Sequence, residues 1–490
     1  MFQEAESDPK IAVAEYKKLE AHLRVRLLNE QYRHLNLRDR ALLVIVAGID
    51  GAGKGETINL LNEWMDPRHI HTLAFGAPNK QERELPIAHR FWRHLPPKGE
   101  TGIVFGSGYS PLFAEAAKKR IDTDQFEQQI LFVRKFESSL IANGVQVLKL
   151  WFHLSREAQH ERTEHLLANP STAWQVTKLD IKAQKNFKTI RRAGQLVIEA
   201  TDSPHSPWVI IPSADPQLRA VRTAQAILGA FTQRTLKAPV FHDPAEAKPL
   251  HRQPNPLDKL DHKVTITKSD YETQVLAWQN RLAQALRSKG FRKRALIVAF
   301  EGADAAGKGG AIRRVTRAID ARQFDIMAVS APKPWELAHP YLWRFWRNVP
   351  EHGRVAIFDR SWYGRVLVER VEKLIPRESW RRAYEEINDF EQQLSDSGII
   401  LLKFWLSVTP EEQLRRFRER QESPFKQFKI TPEDWRNRRN WKQYEEAARD
   451  MFAQTDTPHA PWHVLSANDK KHARVEVLKH IVLAVERSLA

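Results

Sequence analysis

Two short stretches of this chain combine residue types that can move a phosphoryl group. The first is Gly302-Ala303-Asp304-Ala305-Ala306-Gly307-Lys308-Gly309-Gly310, a GxxxxGK loop. Glycines let such a loop curl around an anion, its N–H groups and the following helix N-terminus converge on phosphate oxygens, and the lysine reaches the terminal phosphates as a compact charge. Phosphate contacts are therefore expected from Gly302, Ala305, Ala306, Gly307, Gly309 and Gly310, with Lys308 on the transferring group. The second stretch is Asp359-Arg360-Ser361-Trp362-Tyr363-Gly364-Arg365, directly after the apolar run Val355–Phe358. An aspartate there sits where a Walker B carboxylate belongs.

The loop lacks the Ser or Thr that usually follows the lysine and holds magnesium, because Gly309 stands there. Asp304 and Asp359 are the substitutes, two carboxylates able to share Mg2+ with a phosphate chain. On spacing alone Asp304 could instead form a turn and Asp359 cap a helix, and it is their joint placement that favours the metal.

These residues need rigid supports. Ala295–Phe300 is a continuous apolar run of the kind that forms a strand buried on both faces, and Leu42–Val46 is another. Ile326–Val329, Val355–Phe358, Ile399–Leu406 and Trp462–Leu465 read as further buried strands, separated by helical stretches such as Glu378–Asp396, which ends before Gly398. The alternation predicts a three-layer α/β fold, a parallel sheet with helices on both faces.

The pattern also occurs twice. Asp50-Gly51-Ala52-Gly53-Lys54-Gly55 returns as Asp304-Ala305-Ala306-Gly307-Lys308-Gly309, and Arg90–Arg93 and Thr201–His205 return as Arg344–Arg347 and Thr455–His459, each displaced by 254 residues. One slip is read, at Phe105 against Phe358. The expected division is an N-terminal domain over 1–240, a Pro-rich linker over 241–265 and a C-terminal domain over 266–490, since Pro244, Pro249, Pro254 and Pro256 resist helix and sheet.

Composition bounds the partners. The 490 residues are 42% hydrophobic and 28% charged, which suits folded domains, and the formal charge of +17 implies a polyanionic partner (nucleic acid, an acidic membrane surface, nucleotides or inorganic polyphosphate) or else a basic surface that only keeps the chain in solution. With no cysteine there is no disulfide, thiolate or sulfur-bound zinc. The N-terminus does not read as a signal peptide and no run reads as a membrane span, so the expectation is a cytoplasmic protein without a membrane partner.

The loop and the Asp359–Arg365 stretch together closely resemble the signature of the family-2 polyphosphate kinases. The resemblance continues through Asn388-Asp389-Phe390-Glu391, Lys403–Leu406 and Thr431–Trp435, and so spans nearly the whole second copy. It implies a P-loop kinase fold related to thymidylate kinase, with a helical lid and Mg2+, moving a phosphoryl group between inorganic polyphosphate and a nucleotide. By position, Lys308 would bind the transferring phosphate, Asp304 and Asp359 would organise magnesium and the acceptor oxygen, and Arg360 and Arg365 would neutralise developing charge. Arg313, Arg314, Lys333, Arg344 and Arg347 would line the polyphosphate route, and Arg415, Arg416, Arg420, Lys426 and Lys429 would close the lid. Basic residues at such spacing also occur on solvated helix faces. Trp343, Phe345, Trp346 and His339 read as packed side chains.

The first copy keeps Asp50, Gly53 and Lys54 but reads Phe105-Gly106-Ser107-Gly108-Tyr109 where the aspartate and arginine should be, and is expected to be silent. The fused architecture resembles the class that phosphorylates nucleoside monophosphates, AMP to ADP, with ADP to ATP as the alternative. An ATP-dependent monophosphate kinase would carry Ser or Thr at position 309. A non-enzymatic polyanion or nucleic-acid binder would not need Asp359 and Arg360 beside an intact loop. A homo-oligomer remains open.

Overall fold

The computed structural model describes residues 1–233, 255–424 and 430–489. These form two compact units, one of residues 1–78, 90–233 and 333–343, the other of residues 79–89, 255–332 and 344–489. Each holds a five-stranded, all-parallel sheet. In the first the strands are β1 (Ala41–Gly48), β2 (Ile70–Ala74), β3 (Thr101–Phe105), β4 (Val145–His153) and β5 (Trp208–Pro212), in the order β2-β3-β1-β4-β5. In the second they are β6 (Ala295–Gly302), β7 (Phe324–Ala328), β8 (Val355–Asp359), β9 (Ile399–Ser407) and β10 (Trp462–Ser466), in the equivalent order β7-β8-β6-β9-β10.

Alternation along β9 shows how both faces are covered. Leu402, Phe404 and Leu406 join a core with Leu296, Val298 and Phe300 of β6, under Leu478, Ile481 and Val482 of the C-terminal helix Lys470–Leu489. Lys403 points the other way and meets Glu391 on the helix Arg377–Asp396. That helix ends as expected, with Gly398 at φ +78°. One expectation fails here: β7 is an edge strand with exposed side chains, Ile326 being 48% exposed, because only β8 pairs with it.

The strand register removes the slip read from the sequence. Val46 faces Phe105 across β1 and β3, and Phe300 faces Asp359 across β6 and β8. Phe105 thus occupies the place of Asp359, and Gly106, at φ +65°, the place of Arg360, at φ +64°. The apolar identity of Phe105 and Phe358 imitated an alignment that the hydrogen bonds do not make.

Of the stretch read as a linker, 241–254 lies outside the described residues. Asn255 caps a short 3-10 turn over Pro256–Lys259, with proline at its permissive first position, so these residues are structured rather than simply extended. No helix among the described residues is long and apolar enough to cross a membrane.

Candidate active site

Strand order reverses around β6, and the crevice at the C-terminal ends of its neighbours is where an open α/β sheet binds ligands. The loop after β6 fills it. Gly302 has φ +127°, and a Cβ there would lie 2.2 Å from the Leu406 carbonyl oxygen, so no other residue fits. Ala305 and Gly307 also have positive φ, of 63° and 112°. The loop opens the helix Lys308–Thr316, and the Lys308 ammonium donates to the Gly302 carbonyl at 2.8 Å. Burial pulls the Lys308 pKa below the usual lysine value, against the pull of Asp304.

The Asp359–Arg365 segment is braced from behind. The Glu391 carboxylate accepts from Trp362 Nε1 at 2.9 Å, the Tyr363 hydroxyl at 2.8 Å and Lys403 Nζ at 2.7 Å, and both members of the Lys403–Glu391 pair are fully buried. Glu301 accepts from the Ser361 backbone at 2.7 Å and hydroxyl at 2.8 Å. Thus braced, Arg360 keeps its left-handed backbone and donates Nη2 to Asp304 Oδ1 at 2.8 Å, while Asn437 donates to Asp304 Oδ2 at 2.8 Å. Burial raises the Asp304 pKa, but Lys308 and Arg360 outweigh it and hold the carboxylate below its ordinary value.

Two cavities meet at this pair. A polar one of about 580 Å³ is lined by the phosphate loop from Asp304 to Gly310, Asp359, Arg360, Arg313, Arg416 and Arg420. It also takes in Lys470 and Arg474, which begin the C-terminal helix and which the sequence reading missed. Burial, helped by Arg416, draws Lys470 down to about 8. The other cavity, about 340 Å³, is bordered by Leu257, Leu367, Trp405, Ser407, Trp441 and Tyr444 and also includes Asp304 and Arg360. Its volume suits a small organic ligand.

Other predicted residues are placed elsewhere. Arg365 pairs with Glu369 at 2.6 Å and Arg415 with Glu412 at 2.7 Å, and neither borders these cavities. Arg416 does border the polar cavity but spends its guanidinium on Glu412 and on the carbonyls of Ala305, Ala306, Ala467 and Asn468, so it braces the loop. Arg314 bonds the Tyr271 hydroxyl at 3.2 Å, and Arg344 the Ser330 carbonyl at 3.0 Å. Lys333 groups with the first compact unit, and Arg347 borders neither cavity. His339 is packed, stacking on Trp343 at 3.8 Å. Lys426 and Lys429 lie outside the described residues.

The first unit repeats the frame but not the site. Lys149 is buried against Glu137 at 3.1 Å with the Tyr109 hydroxyl, as Lys403 is against Glu391. Glu56, in the place of Gly310, is paired with Arg162 at 2.5 Å and Arg219 at 3.0 Å. The Arg219 guanidinium lies so close to Gly53 that a Cβ there would come within 2.3 Å. A side-chain carboxylate and its two arginines thus crowd the loop.

The chain is 44% identical to a polyphosphate:AMP phosphotransferase of Pseudomonas aeruginosa over 99% of both chains, and 39% identical to one of Acinetobacter johnsonii over 94% of this chain and 95% of the other. A crystal structure from Pseudomonas aeruginosa described as a polyphosphate kinase 2 superposes with a TM-score of 0.87 at 42% identity, covering 100% of this chain and 99% of that one. Both copies match the family described as polyphosphate kinase 2, over residues 10–239 and 265–490, and the chain belongs to that family.

Proposed function

We propose that the second copy transfers the terminal phosphoryl group of inorganic polyphosphate to a nucleoside monophosphate, AMP to ADP, leaving the donor one phosphate shorter. The observation that carries this reading is the corner where the Asp304–Arg360 pair belongs to a basic cavity on one side and a largely apolar one on the other. A polyanionic donor fits the first and a nucleoside the second, so that a phosphate oxygen of the acceptor would meet the terminal phosphorus of the donor at the corner, the bond from that phosphorus to the shortened chain breaking as the new one forms. Full-length relatives named polyphosphate:AMP phosphotransferases support AMP as the acceptor.

Phosphoryl transfer is catalysed chiefly by positioning and by neutralising charge on the transferring group. Lys308 and the loop N–H groups would hold that group, and Arg360 would meet the charge that develops on it. The phosphate contacts of Arg313, Arg420, Lys470 and Arg474 would position the rest of the donor. Asp304 and Asp359, which both border the polar cavity, would hold magnesium together with the substrate phosphates. When bound, the ion would offset the negative charge of the phosphate chain. The first copy, with Phe105 and Gly106 in the places of Asp359 and Arg360, serves as a silent partner. The test is ADP formation from AMP, polyphosphate and magnesium without ATP: Asp359→Asn should abolish it and Lys54→Ala should not. An inactive but folded wild-type chain would refute the reading.

A further inference from the structure

The two units carry the same frame but treat one region oppositely. In the first, five rings gather beside β4, four of them buried. Phe2 is 1% exposed and stacks on His153 at 4.1 Å with an interplanar angle of 9°, and on Trp151 at 6.0 Å. Phe113 lies 5.3 Å from Trp151, and Phe187 lies 6.2 Å from His153.

The 254-residue displacement carries four of these five ring positions to Leu367, Trp405, Ser407 and Trp441 in the second unit. The fifth follows from a shared anchor. Ile11 N–H donates to the Asp215 carboxylate and Ile266 N–H to that of Asp469, each at 3.1 Å, and counting nine residues back from each isoleucine gives Phe2 and Leu257. All five positions of the second unit border the cavity of about 340 Å³. Three rings, Phe2, Phe113 and His153, have become Leu257, Leu367 and Ser407, and close-packed interiors do not refill such losses.

We propose that Leu257 and Leu367 are the specificity-determining residues that keep a slot open for the acceptor's planar base, and that Phe2 occupies the equivalent slot of the first copy as a built-in aromatic ligand. The inference rests on the reading of the second copy as a nucleotide kinase. Phe2 shows what the slot takes: a flat ring face to face with the residue at the Ser407 position and packed beside the retained tryptophan. The cavity reaches Asp304 and Arg360, so a base held there directs its phosphate at the loop. The first copy is thereby closed to nucleosides by its own N-terminal residues, independently of its missing aspartate.

The chain has no cysteine, so Leu257→Cys in the full-length protein introduces a unique thiol. AMP should slow its alkylation about tenfold, as expected when bound ligand covers the thiol in most molecules, whereas short-chain polyphosphate alone should not. Trp174→Cys, at a side chain 75% exposed in the first unit, should label at the same rate with or without AMP. Leu367→Phe should raise the KM for AMP about tenfold or more, with a smaller change in kcat and none in the KM for polyphosphate. Unprotected alkylation at position 257 in a chain that turns over AMP would overturn the inference and leave the kinase reading standing. Protection without any ADP formation would support the slot and sink the kinase reading.

Discussion

Arg360→Gly separates activity from stability, because the structure gives the two effects opposite origins. Arg360 holds φ +64°, a left-handed conformation that costs a non-glycine residue about 1–2 kcal/mol. Glycine removes that strain but adds about 0.5–1 kcal/mol of backbone entropy to be lost on folding. The pair with Asp304 is also lost; with the arginine side chain 39% exposed it is screened by solvent and contributes about 1 kcal/mol at most. Asp304 keeps Lys308 nearby and its bond from Asn437, so it is not left as an unpaired buried charge. The balance lies within about 2 kcal/mol of zero, a shift in Tm of under about 8 °C. The transfer step, by contrast, would lose the cation that the proposed mechanism sets against the transferring group, worth about a thousandfold or more in kcat, or about 4 kcal/mol. Scanning calorimetry and the coupled ADP assay on the same preparation check both. A kcat within tenfold of wild type would refute the role given to Arg360, and a collapse of Tm would refute the account of its backbone.

Three further outcomes are expected. Lys470, drawn down to about 8, is charged in the free enzyme below that pH and neutral above it, so polyphosphate affinity should weaken as pH rises through about 8; Lys470→Arg, whose cation does not titrate there, should flatten that profile in a binding titration. Lys403→Met leaves the Glu391 carboxylate buried without its cation and should cost about 3–5 kcal/mol in chemical denaturation, with Lys149→Met doing the same in the first unit. Gly302→Ala should abolish folding or activity because its Cβ meets the Leu406 carbonyl, whereas Gly309→Ala meets nothing within 4 Å and should change Tm by no more than about 2 °C.

The places of the loop after β6 and of Asp359 at the end of β8 were legible because the signal is local: a glycine pattern, a lysine and a carboxylate lie next to the strands that carry them. The duplication and parallel sheets were legible for a similar reason, through periodicity and apolar runs. What escaped depends on distance in sequence. Lys470 and Arg474 reach the polar cavity only because the last helix starts beside the loop, and nothing near residue 470 announces phosphate chemistry. Asn437 finds Asp304 across 133 residues. Arg416, placed in the lid by the family resemblance, is held by four carbonyls that only the fold collects. Leu257 escaped because prolines marked its surroundings as linker, and proline excludes a helix interior without excluding a 3-10 turn. The register of Phe105 required hydrogen bonds to settle.

On the proposed reading, the corner shared by the two cavities would also act as a ruler. An acceptor whose base stayed in the apolar slot would present to Arg360 whichever oxygen lies one slot length away, and each added phosphate would carry its terminal oxygen past that mark into the space of the donor chain. Moving the far wall of the slot, with the loop untouched, would therefore change how many phosphates the favoured acceptor already bears.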